Sequence, residues 1–169
     1  GSRFTLGKLV PGDVHFFVNW NHSQGRSKLF ALYWRALKRL AQSGIADDLF
    51  GIFPPSEGRR IRAVVSKVWQ IVTIPDWKSM LSGEGAFAFR LSLPVPEYIL
   101  LSKNTAAFSR RRYQEFRKML ERVAELDPGK LHLVRKARGG TSVTTLHIAG
   151  APFSVSVARK GNLIALYTS

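Results

Sequence analysis

Few residues in this chain have the type and placement to do chemistry. Glu84 stands between Gly83 and Gly85, just where an alternating apolar stretch begins. A carboxylate half-buried in such a place can have its pKa raised and act as an acid or a base. More commonly it pairs with an arginine or caps backbone donors, and no second acid lies at a spacing that completes a catalytic pair. Asn19, Asn21 and His22, with His15 just upstream, offer amides and imidazoles for a ligand. Asn and His also end strands simply because they make turns.

Other chemistries lack their motifs. The chain has no cysteine, so disulfides, thiolate metal sites and cysteine nucleophiles are excluded. No ligand set has metal spacing. There is no Gly-x-Ser-x-Gly elbow and no phosphate-binding glycine loop. Gly83-Glu84-Gly85 is a fragment of a nucleotide pattern, and it precedes a strand rather than a helix. His132 and His147 fall in strands without a recognisable partner. The expectation is no cofactor and no metal, and the balance tilts away from an enzyme.

Charge points elsewhere. Lys and Arg number 26 against 11 Asp and Glu, a formal charge of +15. Such an excess favours anionic partners: nucleic acid, an acidic membrane surface or an acidic polysaccharide. The densest candidate is the start of a long helix, with Arg110, Arg111, Arg112, Arg117 and Lys118. Cations there oppose the helix dipole, which a bound phosphate would relieve. The plainer alternative is a solvated face relieved by Glu115 and Glu121. Aromatic residues do not interleave with these arginines as a single-strand binder requires.

The elements that must hold these residues follow from period and punctuation. Val14 to Trp20 alternates as a strand rich in Val, Phe and Trp. Lys28 to Gln42 has helical spacing and stops at Gly44, a short turn covers 46–52, and Glu57 to Val72 is a third helix. Pro75 opens another short helix. Glu84 to Leu93 is the central strand, with Phe87, Phe89, Leu91 and Leu93 expected toward the core and Ala86, Ala88, Arg90 and Ser92 away from it. Glu97 to Lys103 is apolar on both faces and belongs inside the sheet, antiparallel to it. Asn104 or Thr105 caps a helix from Ala106 to Leu126, stopped by Asp127-Pro128-Gly129. Strands at 131–138, 141–149, 153–159 and 163–168 are joined by short glycine turns, which demand antiparallel hairpins.

The expected fold is α+β: a mainly antiparallel sheet with helices packed on one face, in the order β-ααα-ββ-α-ββββ. Apolar residues make up 45 %, enough for a buried core rather than a disordered tail. Residues 3–169 read as one domain, and Gly1-Ser2 as a cloning remnant. The reading therefore expects flanking segments of a longer chain, with the rest of that chain as one partner. No apolar run is long enough to span a membrane.

Three stretches resemble a family of bacterial domains of unknown function, mostly predicted to be extracytoplasmic. They are Val10-Pro-Gly-Asp-Val-His-Phe-Phe-Val18, Trp77-Lys-Ser-Met-Leu-Ser-Gly-Glu84-Gly-Ala-Phe-Ala-Phe89, and the closing hairpin from Phe153 to Tyr167. The resemblance implies an exported or membrane-anchored protein with an upstream anchoring segment and no assigned activity. Together with the missing catalytic motifs and the expected flanking segments, it leads to a binding or assembly domain. It brings no catalytic residue with it, and the basic balance departs from it. The sequence thus leads to a non-catalytic exported domain. A basic nucleic-acid-binding module is the alternative, and an enzyme on an acidic substrate the third.

Overall fold

Short glycine turns and period-two alternation build one seven-stranded sheet, antiparallel at every pairing. The computed structural model describes residues 5–22, 35, 39, 54–73, 75–91 and 97–169. The strands are β1 (Phe16–His22), β2 (Gly83–Arg90), β3 (Glu97–Lys103), β4 (Leu131–Arg138), β5 (Thr141–Ile148), β6 (Ser154–Lys160) and β7 (Leu163–Thr168). Their order across the sheet is β1-β2-β3-β7-β6-β5-β4. Between β3 and β4 the chain crosses the sheet as helix α2 (Ala106–Glu125), and the last four strands meander back until β7 pairs with β3. Gly139 and Gly140 have φ of 57° and 76°, the left-handed conformation that a two-residue hairpin turn requires.

The chain falls into two compact units, one of residues 1–24 with 74–169 and one of residues 25–73. The second contains α1 (Pro55–Val72), which has proline at its first position, where the missing N–H costs nothing. Gly58 N donates to Pro54 O at 2.8 Å and closes the first turn. Of the three helices expected after β1, α1 is the one described. Those at 28–42 and 46–52 lie outside the described residues, although Arg35 and Arg39 are helical.

In the first unit, α2 packs on one sheet face over β4 to β7. Thr105 caps it, its Oγ1 accepting from Phe108 N at 3.1 Å. Phe116, Met119 and Leu120 are buried, with Val157 and Ile164 buried on the sheet. Ser109 Oγ donates to Gly161 O at 2.6 Å and ties the helix to the β6–β7 turn. The short helix expected from Pro75 is a 3-10 turn at Trp77–Leu81, and Trp77 meets Phe116 edge-on at 4.8 Å. Only six residues separate Asp76 from Gly83, so i→i+3 bonds such as Ser79 N to Asp76 O at 3.1 Å replace the α pattern.

Two expectations for this sheet are corrected. On β2 the fully buried side chains are Ala86 and Ala88, not the phenylalanines. Phe87 and Phe89 are half-buried and Leu91 is exposed; Leu93 lies outside the described residues. Nor is the coverage one-sided. Residues Leu6–Leu9 form a 3-10 turn on the face opposite α2, where Leu6 packs on Ala86 and Leu101. Alanine lets this turn approach the sheet closely, which is why the small face is the buried one.

Candidate functional site

Antiparallel pairing puts directly opposed residues on one face, so the register decides which candidates meet. Asn21 stands opposite Glu84, and Glu84 opposite Lys103. Asn19 is one row along on the same face, opposite Ala86. His22 pairs with Gly83 at the end of the strand. Of the expected ligand residues, Asn19, Asn21 and Glu84 therefore share one face. His15 sits at the far end of β1, where its Nδ1 accepts from Leu91 N at 3.1 Å.

Glu84 is bound from within. It accepts from Leu6 N at 2.7 Å, from Thr5 Oγ1 at 2.8 Å and from Thr5 N. Lys103 Nζ donates to Thr5 Oγ1 at 3.1 Å and closes the ring of contacts. The first N–H groups of a helical turn have no partner within it. Here a carboxylate from a strand supplies that partner. Burial pushes the Glu84 carboxyl up, but the Leu6 N–H, the Thr5 hydroxyl and N–H and the Lys103 ammonium outweigh it, and the net shift is downward. The raised pKa expected of a general acid or base is replaced by a lowered one. Glu84 acts as a cap, one of the roles the sequence already offered.

A second ionic cluster stands at the other end of β2, where it lines a shallow depression. Arg90 Nε donates to Glu97 Oε2 at 2.7 Å, and its terminal nitrogens reach Glu97 and Asp13. The Arg90 hydrogen bond holds the Asp13 carboxyl below the usual carboxylate range. The depression, between Ala88, Arg90, Glu97, Ile99 and Tyr167, measures about 140 Å³. A pocket for a drug-sized ligand is roughly 300–1,000 Å³.

The candidate anion site on α2 divides in two. Arg112 is buried, bonds Glu115 Oε2 at 2.6 Å and lies over the Phe108 ring at 5.2 Å. Arg117 lies 3.3 Å from Glu121, which Arg135 also reaches. Arg110, Arg111 and Lys118 are exposed on the outer side. Lys136, Arg138 and Lys160 are exposed too, and the register puts them on the sheet face away from α2. Positive charge therefore stands on both sides of the unit.

Two features escaped the residue-by-residue reading. Thr5 and Lys103 complete the Glu84 cluster from far away in the chain, and no local pattern marks them. His132 and His147 are directly opposed on β4 and β5. The Gly139-Gly140 turn was a legible signal for this, since a two-residue turn sets the pairing of everything before and after it. Among the described residues no group of three or more His, Cys, Asp or Glu could hold a metal ion, and no described helix is long and apolar enough to cross a membrane.

Among the described residues, an exposed aromatic surface lies over β1 to β3. Rows Phe16–Phe89–Tyr98 and Val18–Phe87–Leu100 run across β1, β2 and β3 on the face that α2 covers over the other strands. Ring centroids lie 5.2 Å apart for Phe89–Tyr98 and 6.3 Å for Phe16–Phe87. Phe16, Val18 and Tyr98 are 52 %, 44 % and 42 % exposed. No family model matches this chain, and neither curated proteins nor solved structures yield a match to it.

Proposed function

We propose that this chain is a non-catalytic binding or assembly domain of an exported or membrane-anchored bacterial protein. The observation that carries the reading is the fate of Glu84: its oxygens serve the Thr5 and Leu6 donors, so the best candidate for acid–base chemistry is spent on the fold. What stays open is a half-sheet of aromatic rings in a chain of charge +15. Exposed contiguous apolar surface marks contact with another macromolecule. The charge selects a protein partner whose apolar patch is rimmed by carboxylates. The resemblance of the Pro11 turn, the Trp77–Phe89 stretch and the closing hairpin to extracytoplasmic domains supports the compartment.

A photo-crosslinking residue at position 16, in the full-length protein in its own cell, tests this. A discrete heavier adduct is expected, absent from the same residue at position 114 on the outer side of α2, and weakened by salt. Equal labelling at both positions, or none at 16, overturns the reading.

The second reading is a basic nucleic-acid-binding module, favoured by exposed Arg110, Arg111 and Lys118 on one helix. A duplex-binding surface concentrates its cations on one side. Lys136, Arg138 and Lys160 on the opposite side make the charge a diffuse field instead, and the assembly reading is the stronger for it.

A further inference from the structure

We infer that His132 and His147 form a two-imidazole chelating site for a borderline divalent transition-metal ion: Zn²⁺, Ni²⁺ or Cu²⁺. They are direct partners across the β4–β5 hairpin, and both are exposed. Directly opposed side chains on an antiparallel pair share a face, with Cβ atoms about 4.5–5.5 Å apart. A metal–nitrogen distance of about 2.0–2.1 Å sets two imidazole ligands on one ion roughly 3–3.4 Å apart. Rotation about the two side-chain torsions of each histidine closes that difference with no backbone movement.

The scaffold beneath the pair is already determined. At one end of the hairpin, Gly139 and Gly140 adopt the left-handed turn that pins the register. At the other, Ala149 N donates to Lys130 O at 2.7 Å, one pair beyond the Leu131–Ile148 rung. The histidines stand between these two ties, so an ion that binds one finds the other at high effective concentration. β4 is the last strand of the sheet, which leaves the pair open from the edge.

The chemistry of the pair selects the ion. Imidazole suits zinc, copper and nickel, whereas magnesium and calcium require oxygen ligands. The next residue in the row, Ser154, is buried and bonded to Ser169, its Oγ 3.0 Å from that hydroxyl, and so is not a third ligand. Water fills the remaining positions, and the ion is exchangeable rather than structural. The other histidines stand apart. His15 accepts from Leu91 N with its Nδ1, and His22 is on the opposite edge strand.

Calorimetric titration with Zn²⁺ and with Cu²⁺, in a non-coordinating buffer, compares wild type with His132→Gln, His147→Gln and the double variant. One ion per hairpin is expected. Either single change should weaken binding at least about tenfold, and the double should be no worse than the singles, since losing one arm of a chelate loses the chelate. Single variants within twofold of wild type would show two independent imidazoles and overturn the site. So would a double variant that binds as wild type does, because the ion would then sit at His15 or His22. A thermal scan gives a second readout: Zn²⁺ should raise the Tm of wild type and leave that of the double variant unchanged.

Discussion

The indole of Trp20 fills the space left by the missing side chain of Gly85, its direct partner on β2: a Cβ at Gly85 would fall among the ring atoms Cε2, Cζ2 and Nε1. The glycine after Glu84 is thus half of a packing pair. Gly85→Ala must push the ring away or move two paired strands, and a loss above about 2 kcal/mol in urea unfolding is expected. Trp20→Val opens the space, so the double variant should recover part of that loss. A double-mutant cycle measures the coupling, and additive losses would refute the contact. Trp20→Phe gives up no hydrogen bond among the described residues, since the buried Nε1 has no partner there, so its cost reads the lost ring contact with Gly85.

Glu84 should make stability pH-dependent. Its folded carboxyl is held below the ordinary value of 4.5, so it contributes stability that is complete above about pH 4.5 and is lost as pH falls through the lower folded value. Glu84→Gln should be less stable than wild type at pH 7, and the gap should close as the pH drops below 4.5. Urea midpoints from pH 7 to 3 check this. A gap that stays constant over that range would place the effect in packing and not in the charge.

Core and surface aromatics should separate cleanly. Phe116 is 0 % exposed and packed on Trp77, so Phe116→Ala should cost about 3–5 kcal/mol. Phe89 is half-buried beside Tyr98, and Phe89→Ala should cost less, roughly 1–3 kcal/mol. Equal losses would mean that the aromatic face of β2 belongs to the core after all.

The arginines of α2 should split in the same way. Arg111→Ala should leave stability unchanged or slightly raised, because alanine is the better helix former and a cation leaves the positive end of the dipole. Arg112→Ala breaks the Glu115 ion pair and uncovers the Phe108 ring, and a loss of about 1–3 kcal/mol is expected. Salt titration of binding to a short DNA duplex then tests the surface. If Arg110→Ala and Arg111→Ala flatten the salt slope, the exposed arginines contact phosphate.

Thr105→Ala removes the side-chain acceptor for Phe108 N and should cost about 1 kcal/mol. Thr105→Ser should restore most of it, since the hydroxyl is what caps the turn. Thermal unfolding of the pair reads the difference.

What the amino-acid order determined by itself was local. Gly139-Gly140 and Lys160-Gly161-Asn162 announced the hairpins, alternation announced the strands, and Thr105 with Asp127-Pro128-Gly129 bounded α2 almost to the residue. Each of these depends on a few neighbouring dihedrals, which neighbouring residues control. Even the His132–His147 pairing was implicit in turn arithmetic. Tertiary structure decided the rest. Phe87 and Phe89 looked like the core face because period two names two faces without saying what lies above either. The turn at Leu6–Leu9 chose Ala86 and Ala88, because only a small side chain admits another backbone so close. Glu84 became a cap through donors 78 and 79 positions away, a distance at which no spacing rule in the chain operates.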